Sequence, residues 1–483
     1  MNYFRALLCF VLISLSPTLL CSADTPSHDA ATAKLQQDIP QLTKVAEIPG
    51  LSVAVIRHGK TYWVQNYGVQ NAKTKEPVAD STVFNVGSLS KPVFAYGVLK
   101  LVDAGKLKLD EPLAPYLPEA FTAGDPRFKQ ITARIVLSHR TGFPNWPGDG
   151  KPLTIFFNPG ERFSYSGAGM VFLQKAVEKI TGKPLNDYMR EAVFEPLGMT
   201  SSSYVWRADY ETTAASGHDA NGAPVGPPKA TDANAAASLT TTTHDYALFV
   251  EAVMAGRGLK PATLREMERP QIAVDPECTN CTDRVPKELS KTVFWGLGWG
   301  IQQTAEGESL WHWGDNGVFK AWVVARPAKK SGLVMFANSE NGLSIARSVV
   351  ADAMGGEQPA FDWLKYDNYD SPSFRFAHAV HDQGGPAALK LFSSELASGA
   401  ISENSINSMG YFLMSSKQLP EAIQMFQKNV ELHPSSWNVY DSLGEAYMND
   451  GQNDLAKKNY EKSLELNPSN TNAVAMLNKL KEQ

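Results

Sequence analysis

Strand-like alternation occurs at two places in this chain, some 230 residues apart, and that separation constrains the fold more than any other feature. Between about residues 41 and 68 the chain reads Leu51-Ser52-Val53-Ala54-Val55-Ile56 and, after a turn at His58-Gly59-Lys60, Thr61-Tyr62-Trp63-Val64, a β-hairpin pattern. Strand patterns return near Phe294, at 298–301, 310–313, 321–325 and 332–336. Helical segments and Pro/Gly-rich loops fill the interval. Strands at both ends with helices between imply one sheet closed by distant segments, an α+β architecture.

From about Ser373 onward the strand patterns stop and a fixed spacing takes over. Gly410 matches Gly444, Ala422 matches Ala456, Phe426 matches Tyr460, Leu432 matches Leu466 and Pro434 matches Pro468, each pair 34 residues apart. That period, with a helix pair per unit and Pro after the second helix, resembles the tetratricopeptide repeat. The best repeats span 405–436 and 437–470, with a closing helix over 471–481 that covers the last open face. Pro386, Ala388 and Phe392 stand 34 residues before Pro420, Ala422 and Phe426, so residues 373–401 are expected to form a degenerate first repeat.

Residues 1–23 have one basic residue, Arg5, an apolar run from Ala6 through Ile13, the breaker Pro17, and small residues at Ser22 and Ala23. This is the pattern of a signal peptide cleaved near Ala23, and the run is too short for a membrane span. An exported, periplasmic or secreted protein is expected, with no transmembrane span once the leader is removed. Lipidation at Cys21 is disfavoured by the bulk of Leu20. The formal charge of −5, or −6 without the leader, gives no electrostatic case for a nucleic-acid partner.

The stretch Phe84-Asn85-Val86-Gly87-Ser88-Leu89-Ser90-Lys91-Pro92 holds Ser-x-x-Lys in a Gly-led turn into a helix. A serine hydroxyl needs a base within reach, and a spacing of three puts Ser88 and Lys91 on one helical face. Burial can lower a lysine pKa until the amine accepts a proton. With its flanks, this stretch resembles the nucleophile motif of class C β-lactamases, D-alanyl carboxypeptidases and related esterases and aminopeptidases. Further segments resemble the same family: Leu137-Ser138-His139-Arg140-Thr141-Gly142, Pro159-Gly160-Glu161-Arg162-Phe163-Ser164-Tyr165-Ser166, Glu195-Pro196-Leu197-Gly198-Met199, and Ala235-Ala236-Ala237-Ser238-Leu239. The resemblance covers roughly residues 51–342, within a hydrolase domain expected over 30–365 and followed by the repeats over 373–483.

The resemblance implies a β-lactamase/transpeptidase-like fold, with an antiparallel sheet flanked by helices and a helical subdomain. It gives Ser88 the role of acylated nucleophile and Lys91 that of its base. Tyr165 would be the tyrosine that shuttles the proton. His312-Trp313-Gly314 stands for the family's Lys-Thr-Gly, with Gly314 letting substrate approach the strand edge. The N–H groups of Asp315 and Ser88 would then form the oxyanion hole. Two departures favour esters or small amides over β-lactams and peptides: Gly167 replaces the asparagine two residues after Tyr165, and His312 replaces a fixed cation. No metal or organic cofactor is implied. His139 is expected to be structural, satisfying loop carbonyls. Trp311, Trp313 and Trp322 could line the site or pack the sheet. Thr242 with Asp245 reads as a helix cap. The absence of Gly-x-Ser-x-Gly disfavours an α/β-hydrolase.

Cys278 and Cys281 are the two cysteines outside the leader. A small loop-pinning disulfide is expected, with a redox centre or half a zinc site as alternatives. The functional expectation is an exported serine hydrolase acting on an ester, amide or D-amino-acid peptide bond, with a small-molecule or peptide substrate and a protein partner on the repeats. The alternative is a degenerate domain serving as a scaffold.

Overall fold

The computed structural model of this chain describes residues 26–147 and 151–481, so the leader expected over 1–23 lies outside the described residues. Helix α1 (Pro26–Val45) leads into the hairpin of β1 (Gly50–Arg57) and β2 (Lys60–Gly68). The turn residues His58 and Gly59 both have positive φ, 52° and 74°, which suits the right-handed twist of a tight hairpin. After the helical middle come β3 (Ile272–Ala273), β4 (Val293–Trp295), β5 (Gly300–Thr304), β6 (Gly307–Asp315), β7 (Lys320–Arg326) and β8 (Ser331–Ala337). All eight join one antiparallel sheet in the order β2-β1-β8-β7-β6-β5-β4-β3. Leu51 of β1 pairs with Ala337 of β8, which is the distant closure the sequence implies.

Both faces of the sheet are covered, so its central strands are apolar at nearly every position; β7 is buried along its whole length. Leu51, Val53 and Val55 of β1 pack on one face with Leu35 and Ile39 of α1 and Val349 and Val350 of α5 (Ala346–Met354). Ala54 and Ile56 pack on the other face, in the core built by α2 (Ser90–Asp103), α3 (Gly167–Thr181) and α4 (Thr243–Met254). The same alternation runs along β6, where Leu310 belongs to the second core and Trp311 and Trp313 to the first. Period-two geometry therefore puts His312 and Gly314 on the side of α2. A slip of one residue would exchange them for tryptophans.

The C-terminal part is helical throughout: α6 (Pro372–Gln383), α7 (Gly385–Leu391), α8 (Glu403–Ser415), α9 (Leu419–Leu432), α10 (Trp437–Asn449), α11 (Asn453–Leu466) and α12 (Thr471–Lys481). Its period has a steric cause. A Cβ on Gly410 would meet the Phe426 ring at 2.4 Å and one on Gly444 the Tyr460 ring at 3.1 Å, so each small residue lets an aromatic of the next helix sit against the backbone. In residues 373–401 Phe376 stands where Gly410 stands in the next unit, with its ring 5.8 Å from that of Phe392. The close approach is lost there, and the second helix breaks into α7 and Ser393–Ala397. Among the described residues no helix is long and apolar enough to cross a membrane.

Candidate active site

Residues Phe84–Asn85 pair with Thr240–Thr241, and Gly87, at φ 50°, turns the chain into a short 3₁₀ segment, Gly87–Leu89, that runs on into α2. Ser90 Oγ donates to Gly87 O at 2.6 Å and accepts from Leu239 N at 3.0 Å, which locks this turn. Ser88 is half-buried at the turn, while Lys91, one helical step on, is completely buried. Lys91 Nζ lies 2.8 Å from Ser88 Oγ and donates to Ala236 O at 2.9 Å. Burial holds the Lys91 pKa well below the ordinary lysine value, so the amine is poised to accept the serine proton.

Tyr165 stands across from this pair, its ring centroid 4.8 Å from Lys91 Nζ. Its hydroxyl is buried without a hydrogen-bond partner. Burial raises its pKa far above the usual phenol value, and only the nearby Ser88 hydroxyl acts against that shift. The phenol is therefore neutral. Two histidines flank it, with ring centroids 4.3 Å (His139) and 6.1 Å (His312) away. Burial and the neighbouring Lys91 depress both histidine pKa values, that of His312 to about 3.

The two imidazoles are held in opposite tautomers. His139 Nδ1 accepts from Ser166 N at 3.0 Å, which leaves its proton on Nε2. His312 Nδ1 faces Trp313 O at 2.7 Å and so carries the proton, leaving Nε2 as an acceptor. His139 is structural, but it serves a backbone N–H and not the loop carbonyls expected. The tryptophans divide: Trp311 and Trp322 stack on each other in the sheet core, whereas Trp313 lies 4.7 Å from the Tyr165 ring and walls the site. Thr242 caps α4 by accepting from Asp245 N at 3.1 Å.

A Cβ on Gly314 would meet Val86 O at 2.1 Å, so the missing side chain lets the turn that carries Ser88 pack closely on β6. A Cβ on Gly87 would meet Asp315 N at 3.2 Å, which places that backbone N–H, one of the two expected in the oxyanion hole, against the turn that carries Ser88. Asn316 Nδ2 donates to Asn85 Oδ1 at 2.7 Å and staples that corner. The Asp315 carboxylate is held by Lys320 Nζ at 2.5 Å and by the Tyr366 hydroxyl at 2.5 Å.

Where the resemblance puts an asparagine, a Cβ on Gly167 would meet the Trp146 indole at 2.9 Å. That indole fills the volume with apolar surface. Three groups at the site escaped the sequence: Thr279, which acts through its backbone carbonyl and carries no side-chain signal; Trp146; and Tyr366, which lies beyond the matched motifs. Cys278 and Cys281 are joined as a disulfide with Cα atoms 5.9 Å apart. Asp275 lies close enough to complete a ligand cluster with them, but bonded sulfurs offer no thiolate to a metal, and Asp275 is paired with Arg284 at 3.2 Å.

Residues 35–350 match the family model described as Beta-lactamase, and 438–470 match one described as Tetratricopeptide repeat. A β-lactamase of Pseudomonas fluorescens is 28% identical over 344 residues, covering 62% of this chain and 91% of that protein. Esterase EstB of Burkholderia gladioli is 30% identical over 243 residues, covering 44% of this chain and 60% of the esterase. Two solved structures share the fold. A class C β-lactamase mutant has a TM-score of 0.58 at 22% identity and covers 69% of this chain and 99% of its own. An octameric penicillin-binding protein homologue from Pyrococcus abyssi has a TM-score of 0.57 at 23% identity, covering 72% and 81%.

Proposed function

The chain belongs to the β-lactamase family, and from that premise we propose that it is a serine hydrolase turning over short or apolar acyl esters through an acyl-enzyme intermediate. The observation that carries this reading is the buried Lys91 amine 2.8 Å from Ser88 Oγ, with burial as the sole cause of its lowered pKa. Ser88 Oγ attacks the acyl carbon and passes its proton to Lys91. The N–H groups of Ser88 and Asp315 take the developing oxyanion. Tyr165, neutral and facing Ser88, relays the proton to the leaving alkoxide. Water then attacks the acyl-enzyme by the same relay in reverse.

Two features favour esters over β-lactams and D-alanyl peptides. The Trp146 indole over Gly167 gives an acyl group an apolar wall and no amide to bind. A His312 held neutral supplies no cation for a substrate carboxylate. The names of the relatives include both an esterase and β-lactamases, so the choice falls on these local groups. The Cys278–Cys281 disulfide supports an exported location, since such bonds persist in oxidising compartments. The repeats are assigned to a protein partner, tested by pull-down with the full chain and with one ending at Ser371.

The deciding experiment follows p-nitrophenyl acetate and nitrocefin hydrolysis in the full chain and in Ser88→Ala, with fluorophosphonate labelling mapped by mass spectrometry. Ester turnover, a label on Ser88 and its loss in Ser88→Ala are expected, with nitrocefin turned over slowly. Undiminished ester hydrolysis by Ser88→Ala ends the proposal. Nitrocefin turnover as fast as that of the ester removes its substrate preference.

A further inference from the structure

Tyr165 must keep its hydroxyl at Ser88 although it lies on an irregular segment before α3, outside any helix or strand. Its two neighbours are both tied to His139: Ser164 N donates to His139 O at 2.9 Å and Ser166 N to His139 Nδ1 at 3.0 Å. The N–H of Tyr165 itself points the other way and donates to Thr279 O at 2.8 Å. Thr279 is one of the two residues enclosed between Cys278 and Cys281. Arg162 Nη2 donates to Thr282 O at 3.2 Å, a second tie between the same two segments. At the base of this loop, Asp275 O accepts from Trp363 Nε1 at 2.7 Å, so the loop is anchored on one side and closed by the disulfide at its tip.

We propose that the Cys278–Cys281 disulfide is a positioning device for Tyr165, holding the Thr279 carbonyl where it fixes the tyrosine backbone, and that its reduction slows turnover. The inference rests on the reading of Tyr165 as the proton relay. Cys281 is buried and Cys278 half-buried, so attack from solvent falls on Cys278. A dithiol such as dithiothreitol attacks Cys278 Sγ as a thiolate and expels Cys281 Sγ, which takes up a proton. The second thiol of the reagent then releases Cys278 as a thiol, and the reagent leaves as its cyclic disulfide. Two electrons and two protons pass to the protein. With the short loop opened, the Thr279 carbonyl is no longer constrained and the phenol is no longer held at Ser88.

The test measures kcat and KM for p-nitrophenyl acetate on the full chain before and after dithiothreitol, with free thiols counted, beside the double variant Cys278→Ser, Cys281→Ser. Amide exchange at Tyr165 is followed by mass spectrometry. Reduction is expected to lower kcat about tenfold or more with KM nearly unchanged, and to speed exchange at Tyr165. Reoxidation should restore both, and the double variant should be slow and indifferent to reductant. Two free thiols gained on reduction with kcat unchanged, or with the Tyr165 amide equally protected, overturn the proposal. If the double variant fails to fold, the reversible experiment on the natural chain decides alone. Ester turnover surviving in Ser88→Ala defeats the catalytic reading; an inactive Ser88→Ala beside a reduction-insensitive enzyme defeats the disulfide proposal only.

Discussion

The catalytic part and the repeat tail use glycine for the same purpose, close approach, but over different distances along the chain. In the tail, Gly410 admits Phe426 and Gly444 admits Tyr460, each 16 residues on within one helical hairpin. In the catalytic part Gly314 admits the carbonyl of Val86, more than 200 residues away. The first kind of contact repeats and can be found by counting. The second occurs once, and its meaning depends on where a distant turn docks. The same division runs through the rest of the chain: the tail's glycine contacts are local, while the site is assembled from residues 88, 165, 236, 279, 312 and 366.

The largest expected effects come from the groups that move protons. Lys91→Ala and Tyr165→Phe should each lower kcat by roughly 10²–10⁴-fold, the range for loss of a general acid or base, with little change in melting temperature. Ester kinetics and calorimetry together check this. Near-normal kcat in Lys91→Ala would mean that another group takes the Ser88 proton, and His312 Nε2, the imidazole nitrogen left as an acceptor, would be the first to examine.

Next in size is a matched pair of glycine substitutions that asks whether the two parts are separable, although Phe374 and His378 of the first tail helix touch the catalytic part. In Gly314→Ala the new methyl meets Val86 O, so the turn carrying Ser88 must move off β6; a fall in kcat of about 10²-fold is expected from an ångström-scale shift. In Gly410→Ala the methyl meets the Phe426 ring, and a destabilisation of about 1–3 kcal/mol is expected within the tail, with ester turnover intact. Loss of turnover in Gly410→Ala would join the two parts into one cooperative unit.

What the sequence made legible follows from this comparison. The hairpin, the returning strands and the 34-residue period were readable because each is a local periodicity set by strand or helix geometry. Ser88, Lys91 and Tyr165 were readable because the chemistry needs their side chains in recurrent company. The packing of Val86 against Gly314 was not legible, since the spacing shows that a glycine is present but not which backbone lies against it. Thr279 contributes a carbonyl, which every residue has, and so nothing in its identity pointed to the site; Ala236 lies in a matched segment, but the use of its carbonyl was equally silent. Tyr366 lies past the last strand, where only the folded path of the linker brings its hydroxyl to Asp315.

Tyr366 carries a smaller prediction. Its hydroxyl shares the Asp315 carboxylate with Lys320, beside the N–H assigned to the oxyanion. In Tyr366→Phe the Lys320 contact remains, so a loss of only about three- to tenfold in kcat is expected, near the worth of one hydrogen bond, with KM little changed. Kinetics on a chain ending at Ser371, which keeps Tyr366, should match those of the full chain. A truncated enzyme as slow as Tyr366→Phe would show that the tail holds this tyrosine in place.

The smallest expected effect tests the neutral state of His312. Its pKa falls from an ordinary 6.5 to about 3 because burial and the neighbouring Lys91 penalise the cation. Below pH 6.5 the unfolded chain therefore binds a proton that the folded chain refuses until about pH 3, so stability must fall as the pH drops through that window. One such group contributes up to about 1.4 kcal/mol per pH unit, and His139, shifted in the same direction, adds to the slope. Nine of the ten tryptophans lie before residue 366, so urea unfolding followed by tryptophan fluorescence reports the catalytic part. Between pH 6 and pH 4.5, His312→Asn should show a slope shallower by about 1 kcal/mol per pH unit, below the full value because near pH 6 the unfolded histidine is only partly protonated, while the His139 contribution is common to both chains and cancels. An unchanged slope would mean that His312 is already protonated in the folded site. A substrate carboxylate would then have a cation to bind, and the preference for neutral esters would lose its electrostatic basis, leaving Trp146 over Gly167 as its remaining support.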